Sequence, residues 1–333
     1  STLALQLSAA DLRVALVESR DAPAAKAFRP LALSHGTRLI LERLQVWRDL
    51  RPATPIARIH VSHAGRFGRV ELAAGEVHVP ALGYVVDYGA AIRAFDAAVA
   101  RSRIDVLRGM RVTSMAHGPT NARLELGTHD GTKDCVADLI AIAEGSALTS
   151  EVGVHVFDYA QKAITARVET EVAHAGLAFE RFTPQGPVAL LPFDRDYALV
   201  WTMRPEMADE LVAATPRVFL SELQACFGSR VGRFVGVEAR SLHALTLRIA
   251  KRLTWGRAVL VGNAAQTLHP VAGQGLNLGI RDAWELAGEI KRLGLHDPAL
   301  LERYRARRRM DRSGGIAFTD ALVRIFSNDF VPL

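Results

Sequence analysis

The residues best equipped for chemistry lie between Ala258 and Asp282, in the run Ala-Val-Leu-Val-Gly-Asn-Ala-Ala-Gln-Thr-Leu-His-Pro-Val-Ala-Gly-Gln-Gly-Leu-Asn-Leu-Gly-Ile-Arg-Asp. An apolar strand runs into a polar turn, and Pro270, Gly273 and Gly275 then lead into a helix expected to start near Leu276. Gly273 and Gly275 have no side chain, so the backbone there can approach a ligand closely. The first N–H groups of a helix lack partners within it, and its dipole places partial positive charge at that end, so the junction suits negative charge. A glycine-rich helix entry with purely structural glycines gives the same pattern, and the residues alone leave both readings open.

Two carboxylates stand at strand ends. Glu18 closes the short apolar run Arg13-Val14-Ala15-Leu16-Val17. In a dinucleotide-binding unit an acidic residue about 20 positions beyond the glycine turn takes the ribose hydroxyls, and Glu18 sits where that residue belongs. A solvated carboxylate ending a strand explains it equally. Ala143-Glu144-Gly145-Ser146 ends a second apolar run, Cys135 to Ala143.

The elements around these positions follow from periodicity. Leu3, Ala4 and Leu7 predict a helix over Thr2–Ala10, and Arg13–Glu18 a strand. Together they read as the second half of a strand–helix–strand unit whose first strand and glycine turn lie outside this sequence. Leu39, Ile40, Leu44 and Trp47 predict a helix between Pro30 and Leu50, and Arg58–Val79 short strands broken by Gly65, Gly68 and Gly75. Ala90–Val99 reads as a helix, Asp105–Val112 and Arg123–Leu126 as strands, and Cys135–Ala143 as one buried strand. From Ala163 to Met203 antiparallel strands are expected, then a helix over Ala213–Phe227, a strand over Ala258–Val261 and a helix over Leu276–Leu293. This order predicts an α/β fold in which a nucleotide-binding domain (1–54, 86–154 and 246–333) is interrupted twice by parts of a sheet domain (55–85 and 155–245).

Composition narrows the classes. The chain has 333 residues, 49% hydrophobic and 23% charged, enough for one large or two medium domains with a substantial core. No uninterrupted apolar run approaches the roughly 18 residues that cross a bilayer. Cys135 and Cys226 fit no metal or redox spacing, which argues against a zinc module, a disulfide scaffold and a dithiol flavin reductase and suits a reducing compartment. The net charge of +6 is spread along the chain apart from a dense cluster at Arg303–Arg309, and no nucleic-acid motif accompanies it. That cluster reads as a solvated helix face, with a membrane-surface or partner contact as the sharper alternative. A cytoplasmic protein, peripheral to the inner membrane at most, is expected, with no metal site.

The run His269–Asp282 resembles, position for position, the signature H-P-[LIV]-[AG]-G-Q-G-x-N-x-G-x-x-D of the UbiH-type FAD-dependent hydroxylases of ubiquinone biosynthesis, within the para-hydroxybenzoate hydroxylase superfamily. Leu16-Val17-Glu18, Arg29 to Leu33, Gly83 to Val86, Phe179 to Phe182, Leu190-Leu191-Pro192, Phe318-Thr319-Asp320 and Phe326-Ser327-Asn328-Asp329 extend the likeness over nearly the whole chain. It implies a Rossmann-like FAD-binding domain interrupted by a mostly antiparallel β-sheet substrate domain with flanking helices, lacking here the N-terminal strand with Gly-x-Gly-x-x-Gly and the C-terminal tail. It also implies FAD as cofactor, NAD(P)H as co-substrate, and a polyprenyl phenol of the 2-polyprenyl-6-methoxyphenol type hydroxylated by O2 through a flavin C4a-hydroperoxide. Association with a multi-protein ubiquinone-biosynthesis complex or a membrane surface would fit such a substrate.

Carried onto this sequence, the resemblance puts Glu18 on the adenosine ribose and Arg29 by the pyrophosphate or the flavin. Gly262-Asn263 replaces the Gly-Asp that holds the ribityl chain in many relatives. Glu144-Gly145 replaces the Asp-Gly that serves both FAD and NAD(P)H. Pro270, Gly273, Gln274, Gly275, Leu276 and Asn277 would line the isoalloxazine. Arg181 and His269 are the catalytic candidates, Arg181 either for facing the substrate ring or as part of the plain sheet core, and His269 either for moving a proton or for bracing its loop. Two other functions compete: a non-catalytic flavin-fold scaffold subunit of a quinone-biosynthesis complex, and a flavin halogenase. The halogenase would need W-x-W-x-I-P, and Trp47, Trp201, Trp255 and Trp284 form no such pair.

Overall fold

Parallel strand pairs and one large antiparallel sheet organise the chain. The computed structural model describes residues 1–19, 28–65, 69–129, 131–144, 152–267, 274–311 and 314. In chain order, α1 (Thr2–Ser8) precedes β1 (Ala15–Glu18) and β2 (Pro30–Ser34). Ser34 then caps α2 (His35–Arg43), its hydroxyl accepting from the Thr37 N–H. β3 (Thr54–Ile56), β4 (Arg58–His63), β5 (Arg69–Ala73) and β6 (Gly83–Asp87) follow. Asp87 caps α3 (Tyr88–Ala100) by accepting from the Gly89 and Ala90 N–H groups. Next come β7 (Asp105–Arg108), β8 (Arg111–His117), β9 (Ala122–Thr128), β10 (Gly131–Ala137) and β11 (Ile140–Ile142). The long β12 (Val154–Thr170), β13 (Leu177–Thr183), β14 (Gly186–Phe193) and β15 (Asp196–Met203) lead to α4 (Pro205–Ala213) and α5 (Pro216–Phe227). β16 (Phe234–Ala250), β17 (Thr254–Trp255), β18 (Ala258–Leu260), β19 (Gln266–Thr267) and α6 (Gln274–Leu293) complete the series, and residues 300–311 are helical.

β1 pairs in parallel with β7, and β11 in parallel with β18, beside which β17 runs antiparallel. The large sheet has the order β19-β16-β12-β15-β14-β13-β4-β5, antiparallel except at the parallel β13–β4 junction. Its strands alternate in the period of two that gives each face its own residues. One face, called outer here, carries Ile164, Phe179, Leu190, Leu199 and Trp201 and is buried under Phe219 and Phe227 of α5. The inner face carries Ala178, Phe193 and Ala198, packed against Ile56 and Val85 of the small β2-β6-β3 sheet. Leu247 of β16, on the same inner face, meets Leu278 of α6. The helix entry that the sequence singles out therefore lies over the inner face.

Several elements differ from expectation for physical reasons. Pro30–Ser34 is a strand, and the helical spacing begins only at His35. Gly109, at φ +66°, divides Asp105–Val112 into β7 and β8. Cys135–Ala143 is two strands: β10 is the largely exposed edge of the β8–β9–β10 meander, and only β11 joins the parallel pair. The helix expected over Ala213–Phe227 starts at Pro216, capped by Thr215, and is preceded by α4. β16 has no counterpart in the sequence reading. Its alternation is interrupted by Ala239 at φ +53° and by register shifts against β12.

In the arginine cluster Arg303, Arg305, Arg307 and Arg309 are exposed as expected, and only Arg308 is corrected. Asp282, Glu285 and Glu289 form a stripe along α6, and residues 300–311 face it. Arg308 donates to Asp282 at 2.7 Å, Arg307 to Glu285 at 2.7 Å, and Arg303 and Arg307 pair with Glu289 at 3.6 and 2.8 Å. Arg308 is 1% exposed, the opposite of a solvated position. Burial works against its charge, yet Asp282, Tyr304 and Asp311 together raise its pKa.

Removing one member of a buried pair strands the other, so Arg308→Met is expected to cost about 3–5 kcal/mol in urea unfolding, and adding Asp282→Asn to recover part of that loss. Additive losses in the double-mutant cycle would show that the two side chains do not act as a pair.

Candidate functional site

β18 is fully buried, Ala258, Val259 and Leu260 each at 0% exposure, so the chain leaves the core abruptly at Val261 and turns at Gly262. Gly262 sits at φ +58°, where a side chain is strained, and its N–H donates to Asp282 Oδ2 at 2.9 Å. Gln266 Nε2 donates to the same oxygen at 2.8 Å. Burial pushes the Asp282 carboxyl above its ordinary pKa, against the pull of Arg308 and of these N–H donors. At the tip of the turn Asn263 is exposed.

α6 crosses the turn where neither partner has a side chain. A Cβ on Gly279 would stand 3.0 Å from the Gly262 Cα, so the two glycines set how closely helix and turn approach. The first turn of α6 is fixed by Asn277. Its Oδ1 accepts from the Ser34 N–H at 2.9 Å and the Thr37 hydroxyl at 2.7 Å, and its Nδ2 donates to the Ala32 carbonyl at 2.9 Å. One amide thus ties the helix start to β2 and to the α2 cap. No acidic residue occupies that first turn, so its partial positive charge is not offset locally. Among the described residues a Cβ built on Gly275 meets nothing within 4 Å, which leaves the backbone open to a ligand on that side.

The expected site residues gather unevenly. Glu18 ends β1 opposite Arg108 of β7, and Gly262 follows the end of β18, so both lie at the carboxyl ends of parallel strands, where α/β sheets receive ligands. Glu144 is exposed just past β11, and the Ala143 carbonyl beside it lies 4.0 Å from where a Gly262 Cβ would be. The Arg29 N–H donates to Asp87 at 3.3 Å, its guanidinium lies 5.6 Å from the Tyr88 ring centre, and its charge reaches His243 on the inner face. Burial first, and Arg29 second, lower the His243 pKa, while its Nε2 lies 3.3 Å from the Thr165 hydroxyl. Gln274 opens α6, and Gly275, exposed Leu276 and Asn277 follow. Gly145, His269, Pro270 and Gly273 lie outside the described residues.

Arg181 is a correction. Its Nε donates to the Cys226 carbonyl of α5 at 3.2 Å, which puts it with Phe179 on the helix-covered outer face and turns it away from α6. Strand alternation alone does not say which face is open, and Arg181 is one residue out of phase with the inner face. The sequence reading also gave no role to Asp282, Gly279 or Arg308. The i, i+3, i+7 spacing of Asp282, Glu285 and Glu289, set against the arginine cluster, was the available signal.

These groups fit a flavin nucleotide: an acid at one strand end, an exposed amide at another, and a helix start with open backbone and no carboxylate. The family model described as the FAD binding domain matches residues 1–313. Ubiquinone hydroxylase UbiL of Rhodospirillum rubrum is 34% identical over 356 residues, covering 100% of this chain and 80% of that protein. The 3-demethoxyubiquinol 3-hydroxylase of Escherichia coli is 29% identical over 315 residues, covering 91% and 79%. Among solved structures, p-nitrophenol 4-monooxygenase PnpA of Pseudomonas putida DLL-E4 matches with a TM-score of 0.75 over 99% of this chain and 87% of that one, a likeness of fold at 17% identity.

The two helix glycines are expected to separate folding from binding. Gly279→Ala forces α6 off the turn and should cost about 1–3 kcal/mol together with flavin retention. Gly275→Ala should leave thermal melting unchanged or slightly raised, as alanine favours a helix by about 1 kcal/mol, and lower only the retained flavin absorbance. Equal flavin content in Gly275→Ala and the parent protein would remove that backbone from the site.

Proposed function

Because the chain belongs to the family of the FAD binding domain, we propose that this flavin-dependent monooxygenase hydroxylates the aromatic ring of a polyprenyl phenol in ubiquinone biosynthesis, with NAD(P)H as electron donor. The observation that carries the substrate class is the inner face of the large sheet. Val61, Leu191 and Val200 are only partly covered there, and the apolar surface runs outward through the pairs Ile59–Leu72 and Val61–Val70 to the edge strand. Val70 is 57% and Leu72 46% exposed. An apolar surface on the inner face that leaves at a sheet edge suits a ring with a long hydrocarbon tail, since each buried methylene contributes about 0.8 kcal/mol.

In this reading Glu18 holds the ribose, Asn263 the ribityl chain and the open backbone from Gly275 to Asn277 the pyrimidine edge of the ring. Arg29 and Glu144 stand at the nucleotide's other contacts. When bound, FAD supplies the redox chemistry that activates dioxygen and places one oxygen atom on the phenol. The chain's own part is positional and electrostatic. The positive end of α6 favours negative charge beside it, Asn277 keeps that end fixed to β2, and the inner face excludes water from the ring. No helix among the described residues is long and apolar enough to cross a membrane.

The FAD-loaded full-length protein, given NAD(P)H, air and 2-polyprenyl-6-methoxyphenol, is expected to yield a product heavier by one oxygen atom in mass spectrometry. NAD(P)H consumption without that product would sink the assignment. Charging this surface by Val70→Asp with Leu72→Asp is expected to raise KM for a farnesylated phenol roughly tenfold while leaving 2-methoxyphenol nearly unaffected. An equal effect on both would remove the tail from this surface.

A further inference from the structure

One carboxyl stands among the apolar residues of the inner face. Glu180 of β13 alternates with Ala178 and Phe182, and its cross-strand neighbours are Ala189 on β14 and Val61 on β4. Val200 lies opposite Ala189 on the next strand. Among the described residues no hydrogen bond or ion pair reaches the Glu180 carboxyl, and the residue is partly buried. Burial alone pushes its pKa up to about 7.

Among the described residues, the elements laid against this face bring no counter-charge. Phe28, Ile56 and Val85 cover its lower end, and Leu278 of α6 reaches it at β16. The charged and titratable groups of the same face lie elsewhere: His63 bonded to the Ala64 carbonyl on β4, Arg167 paired with Asp194 and Asp196, and His243 with Arg29 beyond Thr165. Among the described residues the Glu180 carboxyl has no partner, and it stands on the part of the inner face where its neighbours Val61 and Val200 are only partly covered.

We infer that Glu180 receives the hydroxyl of the phenol, accepting its hydrogen bond and taking its proton as charge flows into the ring. The phenol O–H bond breaks, an O–H bond forms on a Glu180 oxygen, and the electron pair left on the phenol oxygen delocalises to the ortho and para carbons that are to be oxidised. The proton leaves to solvent as product departs. The partly covered Val61 and Val200 would give the ring apolar contact beside the carboxyl. This inference rests on the hydroxylase reading above.

The test compares binding of 2-prenylphenol and of its deoxy counterpart, prenylbenzene, to the FAD-loaded full-length protein between pH 5.5 and 8.5, for the parent and for Glu180→Gln. An ionised acceptor binds a hydroxyl more strongly than a neutral one, so the parent should bind the phenol roughly tenfold more tightly at the alkaline end, with a midpoint near 7, and prenylbenzene equally throughout. Glu180→Gln should bind the phenol without that pH dependence and prenylbenzene as the parent does. A phenol profile unchanged by Glu180→Gln overturns the role of Glu180 and leaves the hydroxylase reading standing. Failure of both compounds to bind either protein overturns the reading itself. If Glu180→Gln does not fold, the parent's two profiles still decide, because identical pH dependence for phenol and prenylbenzene overturns the inference.

Discussion

The buried carboxylate of Asp282 is the constraint on which the site depends. It sits inside α6, yet it bonds three groups outside that helix: the Gly262 N–H, the Gln266 side chain and Arg308. A buried charge is tolerated only when paired and hydrogen-bonded, so its partners are obliged to stay. That obligation fixes the turn after β18 to the middle of α6, and the helix at 300–311 to the other side. The bare backbones of Gly262 and Gly279 then let the two segments touch, which no larger residue would permit.

With α6 held at its middle, its first turn needs a second anchor, and Asn277 supplies it. An amide has both a donor and an acceptor, and here the acceptor serves Ser34 and Thr37 while the donor serves Ala32. An aspartate at this position would set a carboxylate oxygen against the Ala32 carbonyl. The helix start is thus rigidly placed between β2 and the inner face of the sheet, and its backbone is left for a ligand. Rigid placement of a positive helix end is the form of electrostatic assistance that costs no reorganisation when charge develops beside it.

Much of this was legible in the sequence where a residue type has one dominant physical use. The buried strand at Ala258, the glycine-rich helix entry and the acid at Glu18 were found because glycine spacing, apolar runs and strand-end charges act locally. The α/β character and the antiparallel middle followed from the same periods. What was not legible acts at a distance. Arg308 looked like one of five solvated arginines, since nothing local marks the one that meets a carboxylate 26 residues earlier. Cys135–Ala143 looked like one strand because its two halves are apolar for different reasons, one as a meander edge and one in the parallel pair. Arg181 was assigned to the ring because alternation gives two faces without saying which is covered.

That last ambiguity bears on how the sheet works. α4 and α5 pack on one side only, so the residues of β13 divide by parity into those on the helix-covered face, Phe179 and Arg181 among them, and those on the inner face, including Glu180. The same strand thereby supplies stability on one face and selectivity on the other, and a slip of one residue would exchange the two. An arginine at the position of Glu180 would keep its charge at every physiological pH and would favour an anionic substrate. A carboxyl there, raised toward neutrality by its apolar surroundings, is suited to a neutral phenol whose proton it can hold and release. The register of β13 against β14 and β4 therefore determines which side chains the inner face presents.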